Sequence, residues 1–296
     1  MRVDPAKAFQ VVHLLCEGMG IRAAERLTGL NRRTVLGILE TAGQKCARLL
    51  DAKMRNLHPS HVEIDEIWTF VHSKQRKTTE DHPVHGDQYC WLSLDQPTNL
   101  ILNFHVAKRS KQAAMDFIGD LRARVDDSVF DLTSDGFGPY RHRDGAVFRH
   151  FGSAVNYGTE IKTFGQMEPD GPRRYSPVVC TSCRRWDETG CRELKTVTTN
   201  RVERQNLNVR LFTRRFTRLT LGYSKKLANL KHAVALTVAF QNFCRKRSAI
   251  GNVTPAMAAG LADHVWTVAE LLGGNNLGLD RDARNDDGVF AWAPRL

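Results

Sequence analysis

His61-Val-Glu-Ile-Asp65-Glu-Ile-Trp68-Thr-Phe-Val71 is the stretch on which the fold turns. Its branched and aromatic side chains suit a pleated, partly buried strand. A basic linker, Lys53 to Ser60, precedes it. Tyr89 to Leu94 and Leu100 to Val106 have the same character and are joined by the turn Asp95-Gln-Pro-Thr-Asn99. From Lys111 to Val125 the period changes, with Ala114, Phe117, Ile118 and Leu121 on one helical face. Val129 to Thr133 returns to a short strand that ends in Ser134-Asp135-Gly136. Three consecutive strands, a helix and a further strand predict an α/β architecture, a mixed sheet covered by helices.

Upstream, three short helices are expected. Pro5 to Glu17 ends at Gly18-Met-Gly20, Ile21 to Thr28 follows, and Gly29-Leu30-Asn31 turns the chain into a third helix capped by Asn31. Two short helices joined by a Gly-containing turn have the pattern of a helix-turn-helix. The third helix opens with Arg32 and Arg33 at the end that would enter a major groove, so both are candidate DNA contacts. Downstream, about 158–193 lacks periodicity and reads as an irregular insertion. Helices are expected at about 198–218 and 223–246, and Thr254-Pro255 starts a short one in N-cap and N1 positions. Residues beyond about 273 read as disordered. The expected division is therefore 1–50 for DNA recognition, 60–250 for a catalytic domain, and 251–296 for a short helical segment and tail.

The net charge of +11 and pI near 9.5 favour an anionic partner. The charge is unevenly placed. Residues 1–50 hold eight bases and four acids, Lys195 to Ile250 holds thirteen bases and one acid, and 251–296 holds three bases and six acids. Two basic blocks predict two contacts with double-stranded DNA. No apolar run approaches a membrane span, the N-terminus lacks a signal-peptide core, and the odd count of seven cysteines does not suit a secreted disulfide frame. A cytoplasmic, nucleoid-associated protein with no membrane partner is expected.

The single acid of the second basic block is Glu203. In a helix, Glu203, Asn206 and Arg210 share one face, with Arg214 and Arg215 beyond. A carboxylate there has a use beside phosphate: holding a divalent metal while Asn206 and the arginines grip a DNA backbone. Asp65 in the first strand and Asp135 at the tip of a later one are the other candidates. Phosphodiester chemistry needs an activated oxygen and relief of charge on the leaving oxygen, which two divalent ions supply, and carboxylates are the ligands that suit Mg²⁺ or Mn²⁺. Asp95 is a weaker candidate for the same shell. Taken singly, Asp135 reads as turn chemistry, Asp65 as an edge-strand charge and Glu203 as a surface ion pair.

Val202-Glu203-Arg-Gln-Asn206-Leu-Asn-Val-Arg210, then Arg214-Arg215-Phe-Thr-Arg218 and Gly222-Tyr-Ser-Lys225, resembles the C-terminal part of the insertion sequence 1 family of bacterial DDE transposases. Asp65-Glu-Ile-Trp68-Thr-Phe-Val71 with Lys74 resembles that family's first acidic motif, and Leu132-Thr-Ser-Asp135-Gly-Phe-Gly-Pro-Tyr140 its second. The resemblance covers most of 61–246. It implies a ribonuclease H-like catalytic fold preceded by the helix-turn-helix, two Mg²⁺ ions, and catalytic roles for Asp65, Asp135 and Glu203. The implied activity is cleavage at the ends of an insertion sequence and joining of the freed 3′-hydroxyls to target DNA, by a homo-oligomer assembled on DNA.

Two features depart from the family. Residues 1–60 contain only Cys16 and Cys46 where the best-known members carry a zinc-binding segment, and Glu203 follows Asp135 by 68 positions, longer than the usual interval. Within the expected insertion, Cys180-Thr-Ser-Cys183 has the spacing of half a structural Zn²⁺ site, with Cys191 as a third ligand and His142 or His150 as a fourth. Two other functions fit the same residues: a DNA-binding regulator whose acids are relics, and a ribonuclease H-like nuclease that never joins strands.

Overall fold

The computed structural model describes residues 3–78, 82–165, 180–191 and 193–274. The expected mixed sheet is present. Strands β1 (His61–Val71), β2 (Gly86–Asp95) and β3 (Leu100–Ala107) form an antiparallel meander. Strands β4 (Phe130–Ser134) and β5 (Val155–Phe164) run parallel to β1 on its other side, and β6 (Cys180–Thr189) closes the edge, in the order β3-β2-β1-β4-β5-β6. β1 is therefore central, and its residues Val62, Ile64, Ile67 and Val71 are fully buried. Helices α1 (Pro5–Cys16), α2 (Ile21–Thr28) and α3 (Arg32–Lys53) precede the sheet. α4 (Lys111–Arg122) and α5 (Ala146–Phe151) cover one face, where Trp91 packs among Phe117, Phe137 and Tyr140. α6 (Asn200–Phe212) crosses the other face beside β1, followed by α7 (Leu227–Phe243) and the short α8 (Pro255–Ala258) and α9 (Val268–Leu271).

Local chemistry places the helix ends as the residues predict. The Asn31 side chain accepts the Arg33 N–H at 2.9 Å, and Thr254 Oγ1 accepts the Met257 N–H at 3.2 Å with Pro255 in the first turn. α3 runs past residue 50 and packs along α7, where Gly43 lies so close to His232 that a Cβ would meet its Cβ at 2.4 Å. The apolar side chains of α1–α3 form one buried cluster with those of the sheet and α7.

The stretch 158–193 corrects the expectation of an irregular insertion. Most of its described residues form the antiparallel pair β5–β6, from Tyr157↔Thr189 to Phe164↔Cys180, with register shifts at Tyr157/Gly158 and Thr163/Phe164. Periodicity is missing because β6 is an edge strand exposed on both faces, so no side of Cys-Thr-Ser-Cys-Arg-Arg-Trp-Asp-Glu-Thr needs to be apolar. The segment 166–179 lies outside the described residues, as does most of the tail expected to be disordered. The expected long helices are also shorter. α6 stops at Phe212, where Thr213 turns extended, and α7 begins at Leu227. Among the described residues no helix is long and apolar enough to cross a membrane.

Candidate metal centre

β1 and β4 pair in parallel only from His61↔Asp131 to Glu63↔Thr133. β4 ends at Ser134 while β1 runs on to Val71, so Asp135, just past the end of β4, lies beside Asp65 in the middle of β1. One carboxylate oxygen from each of Asp65, Glu66 and Asp135 lies within 4.8 Å of the other two. At that separation two like charges repel by about 3 kcal/mol at an effective dielectric of 20. Burial, then the neighbouring Glu66, Asp135 and Glu203 carboxylates, push Asp65 up to about 8. Glu66 is raised too, by burial first and then by Asp135.

Each member of the trio is held. Asp65 accepts the Asn206 side-chain amide at 2.7 Å and the Glu66 N–H at 2.8 Å. Glu66 accepts the Tyr140 hydroxyl and, at 3.0 Å, Arg109 Nε. Asp135 accepts the Phe137 N–H at 2.9 Å, and Arg109 Nη2 reaches it at 3.4 Å. The Arg109 guanidinium carbon lies over Phe137, 3.8 Å from the ring centre, which restrains its approach. An all-oxygen donor set of carboxylates suits a hard cation such as Mg²⁺ or Mn²⁺. One further atom fits that ligand: Asn206 Oδ1 is buried beside Asp65 with no hydrogen-bond partner, a place that water bound to a cation would satisfy.

Two buried acids hold the start of α6. Glu63 accepts the Val202 N–H at 2.8 Å, and burial pushes this carboxyl up to about 7 against the pull of that bond. Glu160 is buried in β5, yet the Thr199 N–H together with Cys183, Arg185 and Lys162 outweigh burial and bring it down to about 2. Helix N-termini carry unpaired N–H groups that carboxylates satisfy, each such bond contributing about 1.5–3 kcal/mol. With α6 fixed there, Asn206 is aimed at Asp65.

Of the three acids expected to act together, the structure joins two. Glu203 sits on the first turn of α6, about half exposed, bonded to Lys162 Nζ at 2.7 Å and Thr199 Oγ1 at 2.8 Å. It is near enough to raise Asp65 and is not one of the clustered oxygens. Glu66 takes that place, a residue that alternation along a strand puts on the opposite face from Asp65. Tyr140, Arg109 and Lys162 were likewise not read from the sequence, because their roles depend on long-range contacts.

Several other expectations change. Asn206 is buried against Asp65 and so does not reach DNA. Asp95 accepts Ser60 and Thr98 donors at the β2–β3 turn and plays no part in the cluster. Cys180 and Cys183 lie in the extended strand β6 and Cys191 beyond its far end, so the three thiols are spread along a strand instead of converging as zinc ligands must. Cys183 contacts Glu160 and Cys191 packs at Gly158. Among the described residues the Asp65, Glu66 and Asp135 group is the one metal-competent cluster, and neither His142 nor His150 belongs to it.

The candidate DNA contacts otherwise lie at the surface. Arg32 and Arg33 are exposed at the start of α3, and Arg214 is exposed after α6. Arg215 is partly buried, donates to Ser224 Oγ at 2.7 Å, and is pushed down to about 10 by burial. Arg210 is lowered by burial and by Arg218, and its Nε has no partner. No family model and no curated protein matches the chain. Among solved structures, a piggyBac transposase in a synaptic complex with hairpin DNA aligns over 92% of this chain and 70% of that one, at 11% identity and a TM-score of 0.42, a likeness too loose to bear on function.

Proposed function

We propose that this chain is a DDE-type DNA transposase that binds the ends of its own element, cleaves them to 3′-hydroxyls and joins these to target DNA. The observation that carries the reading is the Asp65, Glu66 and Asp135 oxygen cluster where β4 ends beside β1. A central strand with an antiparallel meander on one side and parallel strands on the other suits a ribonuclease H-like sheet, with β6 as an added edge. The three motifs resembling the insertion sequence 1 family support that family as the relative. In this reading α2 and α3 form a helix-turn-helix within 1–50 that reads the element's ends, and 60–250 is the catalytic domain working as a homo-oligomer on DNA.

Asp65, Glu66 and Asp135 would hold Mg²⁺ or Mn²⁺, which activates an oxygen nucleophile and relieves charge on the leaving oxygen. Asn206 keeps Asp65 oriented, and Tyr140 and Arg109 do the same for Glu66. Glu203 is the third catalytic acid, half exposed above Asp65 and held there by Lys162 and Thr199. Arg210, Arg214 and Arg215 face the phosphate backbone.

A second reading is a regulator that binds DNA without cutting it. Arg109 favours it, since its guanidinium already bonds both Glu66 and Asp135 and needs no metal to do so. Mn²⁺ titration at several pH values tests the metal reading. Asp65 rests near 8 without metal, so a ligating Asp65 must shed a proton at lower pH. Apparent Mn²⁺ affinity is expected to fall about tenfold per pH unit below about 8. Affinity that stays flat across this range, or no binding at all, favours the regulator.

A further inference from the structure

The turn between α1 and α2, the first turns of α2 and α3, and the segment joining α6 to α7 enclose a groove of about 890 Å³. Arg22, Arg26, Arg32, Arg214, Arg215 and Lys225 line it, and no acid does. Arg215 bonds only to a hydroxyl, and none of the six forms an ion pair with a carboxylate among the described residues. Like charges held this close repel unless an anion sits between them.

The walls are built against each other. Gly18, at φ +80°, lies where a Cβ would come within 2.4 Å of the Leu211 carbonyl oxygen, and a Cβ on Gly20 would lie 3.5 Å from Arg214 Cγ. Only glycine permits the Gly18 approach. The groove also has an aromatic edge. Tyr223 packs on Phe70 with ring centres 4.8 Å apart, and Phe70 on Trp68 at 5.8 Å. Trp68 is two residues beyond Glu66 and shares its face of β1, so a line of rings runs from the groove toward the acid cluster.

We propose that this groove binds a phosphodiester strand of the same DNA whose reacting bond lies at Asp65, with the N-terminal helices and the post-α6 segment as two walls of one track. The inference rests on the reading that the substrate is DNA. It replaces two independent basic contacts by one. Cations with interleaved rings are the chemistry that holds a nucleic-acid strand, whereas a lone phosphate would use the cations and leave the rings idle.

The test is fluorescence anisotropy of the full chain on labelled duplex and single-stranded DNA, without divalent metal, across a salt series. Arg26→Ala and Lys225→Ala, from opposite walls, are each expected to flatten the salt dependence by about 0.7–0.9 in log–log slope. Because either loss loosens the same strand, the double variant is expected to lose at least about threefold less than the product of the single losses. Ala23→Trp, which fills the groove and removes no charge, is expected to weaken binding about tenfold. Asn229→Trp, from the α7 side, repeats that block should Ala23→Trp fail to melt like the wild type. Wild-type binding that both tryptophans leave unchanged, with independent losses at Arg26 and Lys225, overturns the groove alone. A wild-type chain that binds neither DNA overturns the DNA reading with it.

Discussion

Asp65→Asn and Asp135→Asn are each expected to lower strand cleavage by roughly a hundredfold or more while leaving DNA affinity close to wild type. The acids cluster where β4 ends beside β1, and the cations that meet phosphate lie elsewhere, so binding and chemistry separate. The stability effect of Asp65→Asn has a definite sign. Its carboxyl rises from an ordinary value near 3.8 to about 8 on folding, so the folded chain favours the protonated form. The stability tied to that proton is complete below about 4 and is lost as pH rises toward 8. An amide mimics the protonated acid, so without metal the variant is expected to melt above the wild type at neutral pH. Cleavage by Asp65→Asn above about a tenth of wild type removes that residue from the site.

Glu66 and Glu203 are expected to separate into two roles. Glu66→Gln, which keeps size and hydrogen-bonding reach, is expected to weaken Mn²⁺ binding at least about tenfold. Glu203→Gln is expected to leave Mn²⁺ binding to the free protein unchanged, since its carboxylate is paired with Lys162 outside the cluster. It is nonetheless expected to lower cleavage by about a hundredfold if it acts on bound DNA. Full cleavage by Glu203→Gln assigns it to the Lys162 and Thr199 contacts alone. Unchanged Mn²⁺ affinity in Glu66→Gln leaves Asp65 and Asp135 without their third ligand.

The strands β1 to β4 were legible because branched and aromatic runs with turn residues between them leave little choice. β6 was hidden for a physical reason: an edge strand such as Cys180–Thr189, solvated on both faces, has no apolar side to display. Asp65 and Asp135 were legible as carboxylates at strand positions that topology brings together. Glu66 was hidden because alternation separates neighbours along a strand, and only a long side chain fastened by Tyr140 and Arg109 returns it to Asp65. Helical spacing placed Asn206 on the right face and gave it the wrong partner, since nothing in residues 200–215 tells which turn of α6 meets β1. The CxxC pair misled because its spacing binds zinc only in a turn, and here the backbone is extended.

Strand joining separates a transposase from a regulator and from a simple nuclease. With a duplex bearing the element's own ends, a second duplex and Mg²⁺ or Mn²⁺, free 3′-hydroxyls are expected at the element tips, followed by their covalent joining to the second duplex. Both products are expected to vanish in Asp135→Asn. Folded wild-type protein that binds both ends and leaves every strand whole under either metal contradicts the transposase reading.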